Sequence, residues 1–257
     1  MKKLTILAAG LLLLVPSLAF SDSFQLRLGY FMPSASTNIG LYPDSLWAIE
    51  LDQMSFNMED FRGSIMGLGY EYFLGRNFSL AVTLDSYSKS RLGYYNDYVF
   101  VELDEGYFAF PYELYYGGDI LHSFKVSSTP LQLSFKLAPL GRKARLIPFV
   151  GGGAGLYFWS VRMYGEMVDF GDPRIYPDEV LGEVEYYPIT GVNAKESGAA
   201  FGAHAFAGFQ IPVGYRATIE AEARYHWAKA QLNELFSGFD AFDLGGLALS
   251  VGFSYWF

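Results

Sequence analysis

Histidine and cysteine, two residue types that often catalyse reactions or bind metals, are scarce in this sequence. It contains three histidines, His122, His204 and His226, and no cysteine. The histidines lack metal-ligand spacing, so we expect no metal site. His204 and Glu222 form a plausible acid–base pair, but the pattern places no nucleophile beside them. A hydrogen-bonded pair is the better interpretation, and we predict neither a catalytic residue nor an enzymatic activity.

A glycine-rich stretch, GGGAG at 151–155, has the composition of a phosphate-binding loop. It lacks the Gly-Lys-Ser/Thr that completes such a loop, and it leads directly into the apolar run Leu156–Trp159. Glycines in this position favour close packing of neighbouring strands. We therefore expect no bound nucleotide and no other cofactor.

The ionisable residues that remain follow the period of a β-strand. Between residues 216 and 228 the even positions are polar or charged up to His226, whereas the odd positions are apolar up to Trp227. Alternate side chains of a strand point to opposite faces, so one face of this segment is charged and the other apolar.

The same alternation recurs along the chain and predicts eight strands. A change of phase in the fourth strand, which contains Pro130, predicts a β-bulge at Ser128–Pro130. The predicted strands cover residues 24–30, 66–72, 78–85, 120–137, 147–162, 199–211, 216–228 and 247–257.

The links between these strands alternate between short and long. Short links at 74–77, 138–145 and 212–214 fall at one end of an up-and-down meander, and the long links fall at the other. Outer-membrane barrels have this asymmetry, with short periplasmic turns and long external loops. We predict an all-β fold: an eight-stranded antiparallel up-and-down transmembrane β-barrel with long extracellular loops, closed by pairing of the last strand with the first.

In such a barrel the apolar faces contact lipid and the polar faces line the lumen. A soluble barrel with its polar face outside is the alternative, but the polar face here is rich in glycine, as a narrow interior requires. Pairing across a Pro212–Gly214 turn would place Gly202 opposite Arg224 and His204 opposite Glu222. Because buried charges must pair, we expect a cross-linked plug rather than an open pore. The predicted lumen network consists of Arg27, Glu71, Asp85, Lys136, His204, Glu220, Glu222, Arg224 and His226.

The beginning of the chain has the features of a secretory signal peptide. A basic start, an apolar run from Leu4 to Leu14 and small residues near Ser21 predict residues 1–21 as the signal, with cleavage after Ser21 or alternatively Ala19. The mature barrel domain would be 22–257. Loss of Lys2 and Lys3 changes the formal net charge from −9 to −11, which argues against nucleic acid as a partner.

The long links carry 22 of the 27 acidic residues, so the outer surface is strongly anionic. It could bridge to lipopolysaccharide through divalent cations, or be simply a solvated face.

The link at 93–118 holds ten Tyr or Phe residues. It could be a β-hairpin that continues the strands, raising the strand count to ten if it joined the wall, and it could also bind apolar ligands, glycans or a protein. The candidate ligand surface consists of Tyr94, Tyr95, Tyr98, Phe108, Phe110, Tyr112, Tyr115 and Tyr116.

The segment TPLQLSFKLAPLGRKARLIPFVGGGAGLYF (129–158) resembles the OmpW-like outer-membrane barrels. The start FQLRLGYFMPS and the close VGFSYWF are similar to the broader superfamily of small bacterial outer-membrane barrels. The resemblance implies eight strands and, in some members, passage of small hydrophobic molecules through a blocked barrel and sideways into the membrane. The alternation that ends on Phe253, Tyr255 and Phe257 also resembles the signal read by the barrel-assembly machinery.

These features lead to three hypotheses for a protein of the bacterial outer membrane. The first is a conduit or binding site for small hydrophobic molecules. The second is a structural or adhesive barrel with a closed lumen, whose acidic aromatic loops bind lipopolysaccharide, cations or a partner. The third and weakest is a lipid-modifying enzyme that uses His204 and Glu222.

Overall fold

The computed structural model describes residues 22–34 and 44–257, so the predicted signal peptide lies outside the described residues. Within them, a short helix α1 (Leu46–Gln53) and a 3-10 turn (Met58–Phe61) are the helical elements. None of the described helices is long and apolar enough to cross a membrane. The strands are β1 (Ser23–Pro33), β2 (Gly63–Phe73), β3 (Phe78–Leu103), β4 (Gly106–Pro111), β5 (Gly118–Leu137), β6 (Ile147–Val168), β7 (Arg174–Asp178), β8 (Gly182–Pro212), β9 (Ala217–Ala230), β10 (Phe242–Asp243) and β11 (Gly246–Trp256).

Eight of these strands form a closed antiparallel ring, in the order β1-β2-β3-β5-β6-β8-β9-β11. The ring closes where β11 pairs with β1, from Ser23↔Trp256 to Pro33↔Gly246. The short links and both ends of the domain lie at one rim, and the long links lie at the other. The predicted fold class is confirmed.

The outer face of the ring is apolar and the inner face is polar in the lower half. Leu68 on β2 and Ile219 on β9 are 46% and 45% exposed, whereas the alternate residue Glu220 is 2% exposed. A continuous apolar exterior of this size is unfavourable in water and favourable in lipid. The predicted assignment of the two faces is confirmed by this geometry.

The β-bulge predicted at Ser128–Pro130 is wrong. The pairing of β3 with β5 keeps one register from Phe78↔Leu137 to Tyr94↔Leu121. Phe124 and Pro130 therefore point into the barrel together, and both are buried. The apolar pattern changes because the interior itself becomes apolar in its upper half. The observed irregularity lies higher, between Tyr94 and Val99 of β3.

The predicted pairing of the sixth and seventh strands is also wrong, by four residues. Ile211 pairs with Ile219, which places His204 opposite His226 and Gly208 opposite Glu222. The turn is longer than Pro212–Gly214, since Val213 N–H donates to the Ala217 carbonyl. A shift by an even number leaves every side chain on its predicted face and changes only its cross-strand partner.

Above the membrane-spanning ring, the second long link forms a β-hairpin from the upper end of β3 and from β4. β4 pairs with β3 over Tyr98–Leu103 and with β8 through Phe108↔Pro188 and Ala109↔Tyr187. These pairings close a second, smaller ring of β3, β4, β8, β6 and β5, and β7 adds to β8 beside it. The wall of the barrel keeps eight strands. Residues 96–119 and 169–190 are called the cap below.

Candidate functional site: a filled lumen beneath an aromatic cap

Arg27 of β1 is the centre of an ionic network in the lower lumen. Its Nη2 donates to both carboxylate oxygens of Asp85, at 2.7 and 2.9 Å, and its Nη1 donates to Glu222 Oε1 at 3.1 Å. Arg224 donates to the same Glu222 oxygen at 2.8 Å and to Gln132 Oε1 at 2.5 Å. All five side chains are buried. Pairing of this kind is what makes buried charge tolerable in a narrow barrel.

A second group of charges lies toward the periplasmic rim. Lys136 Nζ donates to Glu220 at 2.9 Å and to Glu71 at 3.3 Å. Two amides complete it: Gln25 donates to Glu71 at 2.6 Å and Gln210 donates to Glu220 at 2.5 Å. The structure thus brings together all seven charged residues expected in the lumen. Beside Arg27 it leaves a cavity of only about 10 Å³.

The two lumen histidines do not act with Glu222. His204 Nε2 lies 2.8 Å from Ser134 Oγ, and His226 Nδ1 lies 3.1 Å from the Gln132 amide. Sequence reasoning missed Ser134 as a partner, although it shares the inward face of β5 with Lys136. A serine beside a histidine is the beginning of a nucleophilic pair, but here Ser134 and His204 are 1% and 3% exposed. Both side chains are therefore enclosed within the barrel.

The upper lumen is filled by apolar side chains from the first and last long links. Trp47 of α1 stacks on Phe242 with ring centroids 5.0 Å apart and meets Phe61 and Phe124 edge-on. Its Nε1 also donates to the Asp243 carbonyl at 3.0 Å. This aromatic plug was not predicted. The large apolar residues of the first long link, 34–61, could have indicated it, but we interpreted that link only as an external loop.

A buried polar contact joins the plug to the wall. His122 Nε2 of β5 lies 2.8 Å from Glu50 Oε2 of α1, and Glu50 and His122 are 4% and 1% exposed. Nearby, the Asn96 side chain donates to the Met54 carbonyl at 3.0 Å. The same link therefore contacts β3 and β5. Neither Glu50 nor His122 was among the predicted site residues.

The eight candidate aromatic residues of the second long link separate into three environments. Tyr95 and Tyr98 pack against the apolar cluster of the upper lumen. Phe108, Phe110 and Tyr115 form a separate cluster with Val99, Val184, Tyr176 and Tyr186 between β3, β4, β7 and β8. Tyr94, Tyr112 and Tyr116 are exposed. Sequence reasoning treated the eight as one ligand surface, but three of the rings form the core of the cap and two more pack against the upper lumen.

A side-chain hydrogen bond adds to the β4–β8 pairing that joins the two arms of the cap, residues 96–119 and 169–190. Tyr115 Oη donates to Asp178 Oδ2 at 2.7 Å. Desolvation and this hydrogen bond raise the pKa of Tyr115 to about 12. Hydrogen bonds from the Leu181 N–H and from Tyr115 hold the pKa of the Asp178 carboxyl below its usual value. The link therefore keeps its protonation state across neutral pH.

The surface of the cap is anionic. Residues 96–119 and 169–190 contain twelve acidic side chains and one basic one, Arg174. In the described ranges, no three His, Asp or Glu side chains converge as metal ligands. The acidic residues are therefore spread over a face rather than gathered at a point.

The terminal residues of the barrel lie at the periplasmic rim. Phe253 and Tyr255 point outward and are 48% and 45% exposed. Phe257 is also exposed, and its backbone exchanges hydrogen bonds with Asp22 in both directions. The aromatic ending is thus part of the lipid-facing surface at the seam where the ring closes.

No family model matches the chain, and no curated protein matches it. Among solved structures it is similar to Neisserial surface protein A (13% identity, TM-score 0.46), with 92% of this chain and 97% of that one covered. It is also similar to the N-terminal β-barrel domain of Pseudomonas aeruginosa OprF (12%, 0.40, 92% and 97%). A third is Escherichia coli outer membrane protein W (14%, 0.36, 93% and 100%). By its own geometry, a closed ring of eight antiparallel strands with an apolar exterior, a charged interior and long loops at one rim, the chain is a β-barrel of the bacterial outer-membrane type.

Proposed function

We propose that this protein is a non-conducting outer-membrane barrel that acts through binding at its extracellular cap. The observation that carries the proposal is the filled lumen. A polar solute would have to break the Arg27–Glu222 and Lys136–Glu220 pairs, and an apolar one would have to displace Trp47 and Phe124. Both layers are close-packed, so neither offers a continuous path.

The cap has the properties of a binding module. Its core is built from stacked rings, such as Phe110 on Tyr186 at 5.0 Å, so its outer side chains are presented on a rigid support. Binding loops carried by a rigid scaffold are the usual arrangement for recognition. Lipopolysaccharide, cations and a partner molecule are the occupants that sequence analysis left open.

The conduit hypothesis has one specific observation in its favour. The β8–β9 ladder stops at Gly202↔Ala228, although β8 continues upward. A cavity of about 360 Å³ lies at this seam, lined in part by Trp159 and Phe201. On its inner side Glu196 accepts hydrogen bonds from the Asn233 and Phe236 backbone N–H groups, at 2.7 and 3.2 Å, which hold the last long link in place. This closed seam is where lateral passage of an apolar molecule would have to occur.

Reconstitution in liposomes tests the proposal. We expect no channel conductance and no saturable uptake of a fluorescent long-chain alcohol, compared with empty liposomes and with an open porin as the positive control. Glu196→Ala, which releases the link at the seam, is the informative variant. Uptake by the wild type that rises in Glu196→Ala would contradict a closed barrel and support the conduit.

A further inference from the structure

We propose that the cap binds a basic, amphipathic polypeptide. The partner's apolar side chains would pack on an exposed apolar tip, and its Lys and Arg side chains would pair with the acidic residues around that tip. This inference rests on the proposed function, because it names the partner of the same surface. Three observations carry it: the exposure of the tip, the hydrogen bonds that join its two segments and the charge that surrounds it.

The apolar tip is a set of exposed large side chains on the two arms of the cap. Tyr116 and Val180 are almost completely exposed, at 102% and 89%. Single exposed apolar residues need no explanation, but a group of them on neighbouring turns marks an interaction surface. The tip consists of Tyr112, Leu114, Tyr116, Ile175, Val180 and Leu181, all more than 45% exposed.

The tip is held in one conformation by the contacts beneath it. Asp178 Oδ1 accepts from the N–H groups of Val180 and Leu181, at 2.8 and 2.9 Å, and fixes the β7–β8 turn. Through its other oxygen, Asp178 accepts from Tyr115, which joins this turn to the Tyr112–Tyr116 segment. A surface fixed before binding loses little conformational entropy when a partner docks. These hydrogen bonds therefore preorganise the β7–β8 turn and the Tyr112–Tyr116 segment for binding.

The charge around the tip selects the partner. Glu113 lies between two tip residues, Glu179 precedes Val180 and Glu183 follows closely after Leu181, and all three acids are exposed. An anionic ligand, including the phosphates of lipopolysaccharide, would be repelled by this rim. A cation alone would use the acids but leave the apolar side chains in water. A polypeptide with one apolar and one basic face satisfies both parts of the surface.

The test uses the full barrel in nanodiscs of zwitterionic phosphatidylcholine. The probe is a synthetic helical peptide with leucine on one face and lysine on the other, and empty nanodiscs are the blank. We expect saturable binding that weakens as salt is added. The double variant Val180→Ser, Leu181→Ser should bind about tenfold more weakly, as for loss of central apolar anchors. Val213→Ser, the same Val-to-Ser change at an exposed valine of the periplasmic rim, is the control and should leave affinity unchanged.

The charge is tested separately with Glu179→Lys, Glu183→Lys, which should weaken binding and reduce its salt dependence. The inference is overturned if a peptide of the same composition in scrambled order binds equally well, since the tip would then contribute nothing. Binding of calcium without binding of the peptide would also overturn it. The same preparations are assayed for conductance. A conducting barrel would contradict the proposed function, whereas a non-conducting barrel that does not bind the peptide would contradict this inference alone.

Discussion

At the scale of single residues, Arg27 holds the lower lumen together because it pairs with two carboxylates at once. Its guanidinium contacts Asp85 and Glu222, which come from opposite parts of the chain. Removing one partner from a buried ion pair is far more costly than never having the pair, since the remaining charge stays buried without compensation.

We therefore expect Arg27→Met, which keeps the length of the side chain and removes its charge, to lower the free energy of unfolding by about 3–5 kcal/mol. Urea titration in detergent micelles, followed by gel mobility of the folded and unfolded forms, measures the change. Arg62→Ala is the control, because Arg62 pairs with Glu59 at the surface, with the two side chains 41% and 71% exposed, and exposed pairs contribute little. Equal stability of Arg27→Met and the wild type would show that the network is incidental.

Residues in the lumen could be predicted from the strand period, but their partners could not. Alternation places Glu222 and Arg224 on the inward face of β9. Which groups they meet depends on long side chains that reach across the barrel from β1 and β5. Ser134 and Glu50 were missed for the same reason, since each finds its histidine across the interior rather than along the chain.

At the scale of elements, the glycines of β6 permit two strands to lie unusually close. A Cβ added to Gly153 would lie 1.9 Å from the carbonyl oxygen of Leu133 on β5. That obstacle is backbone, which cannot rotate away as a side chain can. The GGGAG stretch is therefore a packing feature of the β5–β6 pair, as its sequence context predicts.

Gly153→Ala should lower the free energy of unfolding by about 1–3 kcal/mol, because the added methyl group separates β5 from β6. The measurement is the same urea titration, with the rate of folding into detergent as a second readout. Gly214→Ala is the matched control, since a Cβ there meets nothing within 4 Å. If both variants have wild-type stability, close approach of these strands is not required.

Some elements could be predicted from the sequence and others could not. The eight wall strands are clear from alternation, which the pleat enforces at every residue. The predicted β8–β9 register was wrong because alternation cannot distinguish a three-residue turn from the longer one observed. Both turns leave the same side chains facing inward and change only which residues pair across the strands. The helix α1 gave no helical period, because it is short and its buried residues Leu46, Trp47 and Glu50 enter the lumen rather than pack one stripe on a sheet.

At the scale of the whole molecule, the wall separates three environments: lipid outside, packed charges and rings inside, and water around the cap. The exterior is the part on which membrane insertion depends. Because the chain contains no cysteine, single cysteines can be introduced and spin-labelled without first replacing native cysteines. Labels on the wall and on the cap then report which solvent each surface meets.

We expect nitroxides at Leu68→Cys and Ile219→Cys, on well-separated strands of the ring, to be accessible to dissolved oxygen and protected from a water-soluble nickel complex. A label at Val180→Cys in the cap should behave in the opposite way. The physical reason is the alternation itself: both wall positions lie on the face opposite the ionic network, at strand positions that must meet acyl chains if the charges are to stay paired inside. Collision of the nickel complex with Leu68→Cys or Ile219→Cys as often as with Val180→Cys would mean that water surrounds the wall. The barrel would then have to be a soluble one.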